Sequence, residues 1–263
     1  MKRVDSVISL IYSMSKAEKK AFSVQMLKDK EEKDYLVIYD IITKSKQLDS
    51  KNVKGEFHKR RPGGSFEVSI QYLYERLTDS LLTLRKKKDI YYDLLNNLCK
   101  ARMLYERSLF EECFEILSDT IEQATYYENN EVLTIALKLE LEYLLRLNFP
   151  NLAESELYHK HFMQNEALKK TRKIVEQSSL HNLLKYRLSH IGSIRTSKQK
   201  QDMNDLMVNE LSIAASSGIE GNFELMRNHR LFQANYLMGA GEYKAALNSY
   251  KELSRLFEQN RQV

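Results

Sequence analysis

The chain has 263 residues, 43% of them hydrophobic and 29% charged, which suits one elongated domain or two small ones with a sizeable core. It has 8 Gly and 2 Pro, where average usage would give about 18 and about 13. That scarcity argues against a β-rich or loop-rich fold, which needs those residues at its turns. The net charge of +5 is uneven: residues 1–88 carry 20 Lys/Arg against 12 Asp/Glu, and residues 89–263 carry 21 against 24. Two segments are therefore expected, with net charges of +8 and −3.

The two cysteines, Cys99 and Cys113, are too few for a disulfide framework or a four-ligand zinc site. Both are expected as small core residues in a reducing compartment. The N-terminus has no signal-peptide h-region, and no run approaches eighteen apolar residues. The expected location is the cytoplasm, without a membrane partner.

Val4, Val7, Ile8 and Ile11 have helical spacing. Ser15 and Glu18 then form a capping box for a second helix to about residue 28. A charged turn, Asp29 to Asp34, leads into a third helix carrying Tyr35, Ile38 and Ile42. Residues 48–65 read as a loop with at most one helical turn at 51–58, anchored by Phe57 and punctuated by Pro62, Gly63 and Gly64. A long helix follows, from Ser65 to the cationic end Arg85 to Lys88, which suits the helix dipole.

From residue 89 the pattern becomes regular. Leu94, Leu98 and Ala101 share a face, the chain turns at Arg107-Ser108-Leu109, and Phe110, Cys113, Leu117 and Ile121 mark the next helix. Long helices are expected at about 131–148, 151–169, 171–192 and 198–216. Pro150 stands at the first joint, and Gly218 and Gly221 at the last. Near the C-terminus the order Ala234, Leu237, Gly241, Glu242, Tyr243, Ala246, Tyr250 resembles one tetratricopeptide repeat. Ala101, Leu104, Ser108, Phe110, Cys113 and Leu117 resemble the same pattern, with Ser for Gly and Cys for Ala. Cys113 and Ala246 lie 133 residues apart, close to four repeat periods of about 33–34. The resemblance implies an all-α fold over residues 89–263, with antiparallel hairpins stacked as a short right-handed solenoid behind a basic N-terminal helical segment, 1–88. In such a hairpin Gly241 supplies the turn and Tyr243 plugs the pair, so Tyr243→Ala would cost about 3–5 kcal/mol.

No catalytic constellation emerges. His159 and His161 are two apart and diverge on a helix. Glu156 and His159 have di-iron spacing, but no second Glu-x-x-His exists. Ser178, Ser179 and His181 lack a nucleophile elbow, and Pro62-Gly63-Gly64-Ser65 lacks the ending of a phosphate loop. The expectation is a non-enzymatic scaffold without metal or cofactor, binding a protein or peptide partner.

The resemblance further implies a concave groove lined by the first helix of each hairpin. Its exposed residues would be Arg102, Tyr105 and Glu106, then Tyr186, Arg187 and His190, and finally Asn228, Asn235 and Met238. The alternative is a nucleic-acid-associated regulator using the basic stretch Lys51, Lys54, His58, Lys59, Arg60 and Arg61. A homodimer through the tyrosine-rich helices is a third expectation.

Overall fold

The computed structural model describes residues 2–26, 33–45, 49–86, 88–192, 194, 196–216 and 222–260. Among these the fold is all-α: twelve helices and no strand. The chain divides into two compact units, Met1–Asp93 and Leu94–Val263, so the division falls a few residues beyond the change in charge. The charged turn before Asp34 and the joint at Gly218 and Gly221 lie largely or wholly outside the described residues.

The first unit holds α1 (Lys2–Ser13), α2 (Lys16–Met26), α3 (Asp34–Lys44), α4 (Ser50–Arg60) and α5 (Phe66–Lys86). The capping box expected at α2 forms. Ser15 N–H donates to Glu18 Oε2 at 2.8 Å, and Glu18 N–H donates to Ser15 Oγ at 3.2 Å. These two bonds hold the Glu18 carboxyl below its usual range. Helix α5 touches each of the other four. Around it Val7, Ile11, Phe22, Ile38, Ile42, Val53, Phe57, Leu73 and Leu77 are fully buried.

The expected loop at 48–65 is instead mostly helix. Asp49 caps α4 by accepting a bond from Asn52 N–H at 2.7 Å, and Val53 and Phe57 share its buried face. Only two apolar residues and a central Gly55 stand among the polar ones, too thin a stripe to register as helical periodicity. Pro62 and the glycines do belong to a joint. Gly64 is needed there, since a Cβ would stand 2.8 Å from Phe57 Cζ.

Five helices of the rest of the chain have the same length of 17 residues: α6 (Ile90–Glu106), α7 (Phe110–Tyr126), α8 (Asn130–Arg146), α11 (Phe223–Gly239) and α12 (Tyr243–Gln259). Between α8 and α11 lie α9 (Glu154–Ile191), of 38 residues, and α10 (Ser197–Ser216). Four helix ends close in one way. Leu109 N–H bonds Leu104 O, Asn129 N–H bonds Ala124 O, Phe149 N–H bonds Leu144 O and Glu242 N–H bonds Leu237 O. The residue before each donor is left-handed: Ser108, Glu128, Asn148 and Gly241, with φ of 61°, 53°, 58° and 82°. These are Schellman ends, and only the last has the glycine the conformation favours. Ser108→Gly should therefore raise stability by about 0.5–1 kcal/mol, read as a higher urea midpoint with an unchanged slope.

Helix α8 packs against α7 and α9, α9 also against α10 and α11, and α11 against α12. Glu128 adds a tether, its Oε2 accepting Phe223 N–H at 2.8 Å at the start of α11. The break expected near residue 170 is absent, because α9 runs through it. Lys160 in the first half of the helix bonds Glu140 of α8, and Ser178 and Arg187 in its second half bond Asn228 of α11 and Asp205 of α10. The buried side drifts accordingly along the helix and reads as two patterns.

Two other expectations are corrected. Cys113 is buried but Cys99 is exposed. Tyr243 does not plug the hairpin: it is 68% exposed. Ala234 and Ala246 are buried and allow close approach of α11 and α12, and the ring that bridges them is Tyr250, whose hydroxyl donates to Asn235 Oδ1 at 3.2 Å. Tyr243→Ala should cost less than about 1 kcal/mol in denaturant unfolding, as surface substitutions do.

Candidate functional site

The apolar stripe of α8 runs through Val132, Leu133, Ala136 and Leu137 to Tyr143 and Leu144, and Glu140 occupies a place within it. A carboxylate at a core position needs a partner. Lys160 of α9 supplies one, donating from Nζ to Glu140 Oε1 at 2.8 Å. Glu140 is 6% exposed, and its Oε2 is buried without a hydrogen-bond partner among the described residues.

Around this pair α7, α8 and the start of α9 form a cleft of about 510 Å³. Ile121, Leu137, Leu152 and Met163 give it apolar walls. Its polar groups are Glu140, Lys160, Glu156, His159, Ser118 and Ser155. Glu156 also accepts Ala153 N–H at 3.3 Å, holding the first turn of α9. Volume and lining match the usual form of a ligand site, an apolar hollow with a few placed polar groups. Sequence reasoning missed the cleft. The available signal was Glu140 at helical spacing from Leu133, Leu137 and Leu144, an acid inside an apolar stripe.

None of the nine groove residues lines this cleft. Arg102 and Glu106 are exposed and pair along α6 at 3.2 Å. Tyr105 stacks on Tyr143, centroids 3.7 Å apart and rings within 7° of parallel. Tyr186 lies exposed beside the His190 ring at 4.1 Å, and Met238 is exposed. Arg187 is not free for a ligand, because it bonds Asp205 of α10 through both its amino groups at 2.9 and 3.2 Å. Asn228 is buried and donates to Ser178 Oγ at 3.3 Å. Asn235 is occupied too, donating to Leu231 O and lying 2.8 Å from His181 Nε2. The last two asparagines belong to a polar seam between α9 and α11, which leaves them unavailable for a peptide.

Burial lowers the His181 pKa below its ordinary 6.5, with Lys185 contributing. The neutral ring can accept from the Asn235 amide, and a protonated ring cannot. A depressed folded pKa means that the unfolded chain binds the proton more readily. This contribution is present above pH 6.5 and is lost as pH falls through the lower folded value. His181→Gln keeps an acceptor without titrating, so wild type should lose more stability than this variant between pH 7 and pH 5 in urea unfolding.

The basic stretch is largely neutralised from within its own unit. Lys54 pairs with Glu67 at 2.5 Å, Lys59 with Glu56 at 2.6 Å, Arg60 with Asp40 at 3.0 Å and Arg61 with Asp34 at 3.6 Å. His58 lies against the Phe57 and Phe66 rings. Lys51 and Lys54 join Arg3 at a smaller cleft of about 370 Å³ floored by Val4, Phe66 and Ile70.

Among the described residues no three His, Cys, Asp or Glu are grouped to hold a metal ion. No helix there is long and apolar enough to cross a membrane. No protein-family model matches the chain, and neither does any curated protein or solved structure.

Proposed function

We propose that the chain is a non-enzymatic interaction scaffold, built of tetratricopeptide-like hairpins, that holds an extended segment of a partner protein in the α7–α8–α9 cleft. The observation that carries this reading is the cleft itself: apolar walls around a paired but incompletely bonded carboxylate. Helical hairpins that bury one face of each helix leave hollows between neighbours, which suit peptide capture. The kinship with tetratricopeptide hairpins draws support from Ser108 and Gly241. They occupy matching motif positions and adopt the same left-handed turn.

A displayed peptide library selected on the wild-type protein tests the reading, with Ser118→Trp as the comparison. Ser118 is exposed on the cleft lining, so the indole can fill the mouth without disturbing the core. Selected peptides should bind wild type and lose binding to the variant. Peptides that bind both equally, or a library that yields no binder, would sink the proposal.

A further inference from the structure

We infer that the α7–α8–α9 cleft takes the cationic end of a side chain, an arginine guanidinium above all, with Glu140 as its counter-charge. The inference rests on reading that cleft as the docking site, and names what docks there. Three observations carry it.

Glu140 is more than nine-tenths buried, yet only one of its oxygens is bonded. A buried carboxylate accepts several hydrogen bonds when it can, and an unused acceptor in a low-dielectric place is costly. A donor brought by a ligand removes that cost. The charge of the cleft also asks for a cation. The lining sets two carboxylates, Glu140 and Glu156, against one ammonium, Lys160, so these three groups leave one excess negative charge. Finally, Ile121, Leu137, Leu152 and Met163 would cover the three methylenes of an arginine stem, which long cationic side chains bury readily while the head stays bonded. Guanidinium suits the place better than ammonium, because Lys160 already fills one side of the carboxylate. Oε2 itself has no surface open to solvent, so a planar donor reaches it edge-on, in the geometry arginine uses with carboxylates, only as the side chains lining the cleft part around the ligand.

The test is a titration of the full chain carrying ¹³C-methyl methionine, reading the Met163 methyl inside the cleft. The probes are Nα-acetyl-arginine amide and Nα-acetyl-glutamine amide. The arginine derivative should give a saturable shift, and the glutamine derivative should not. Glu140→Gln keeps the shape and can still accept from Lys160, but presents an amide N–H₂ where an acceptor stood. It should weaken arginine binding at least about tenfold, the equivalent of one charged hydrogen bond. An unchanged Met203 methyl position, buried in the same unit and outside the cleft lining, would show that the variant is folded. No saturable shift with arginine, equal shifts with both probes, or equal arginine binding by wild type and folded Glu140→Gln would each overturn the inference. If the library peptides still bind and lose binding to Ser118→Trp, the scaffold reading survives that result. If they also fail, both fall.

Discussion

Phe57→Ala should destabilise the first unit by about 3–5 kcal/mol, the range for emptying a fully buried aromatic site. Phe57 is 0% exposed and lies 5.5 Å from the Phe66 ring, centroid to centroid. Its i, i+4 partner Val53 is equally buried. The site cannot readily collapse, because α4 is held at its start by the Asp49 cap and along its length by the Lys54–Glu67 and Arg60–Asp40 pairs. Surface pairs of that kind contribute little stability each, but they keep α4 in register over α3 and α5. A domain with a typical total of about 5–15 kcal/mol would lose a large share of it. Thermal or urea unfolding of the full chain reads the effect. A loss under about 1 kcal/mol would mean that residues 50–60 do not carry a core face and that the loop reading of this stretch was the better one.

That contrast shows what the residues disclose. Apolar spacing and the capping box at Ser15 and Glu18 make α1, α2 and α5 legible, since a dense stripe and a cap are local signals. The all-α fold follows from the same signals and from the shortage of Gly and Pro. Helix α4 is concealed because two apolar residues suffice to seat it once α3 and α5 are in place, a tertiary effect that local pattern does not record. The unbroken length of α9 is hidden for a related reason: its burial depends on three different partners in turn. Turn positions are half legible. Gly241 announces a left-handed residue, whereas Ser108, Glu128 and Asn148 adopt the same conformation without any glycine. The site is the least legible part. The groove positions follow from a motif whose polar residues are here spent on internal contacts, Arg187 with Asp205 and Asn235 with Tyr250. The cleft depends on an acid, Glu140, that hides among leucines until α9 brings Lys160 to it.

Lys160→Met is expected to cost about 3 kcal/mol, although lysine at such a position looks replaceable. The reason lies with its partner. Lys160 retains a quarter of its side-chain exposure, but the Glu140 side chain retains 8%. Removing the ammonium therefore leaves a charge in the core with nothing to balance it. Breaking a buried pair on one side generally costs about 3–5 kcal/mol, and the partial exposure of the lysine places this pair at the low end. The attraction itself is not the source of the loss, because desolvating both ions offsets most of it. The double variant Glu140→Leu with Lys160→Met should accordingly stand within about 1 kcal/mol of wild type, with leucine continuing the stripe of Leu137 and Leu144. The two sites touch, so their effects must couple strongly. A double-mutant cycle in urea unfolding measures that coupling. If the double variant is as unstable as Lys160→Met alone, Glu140 holds α8 and α9 together through contacts other than this pair. If Lys160→Met costs nothing, water reaches the carboxylate freely and the cleft lacks the dry acceptor that a cationic partner would require.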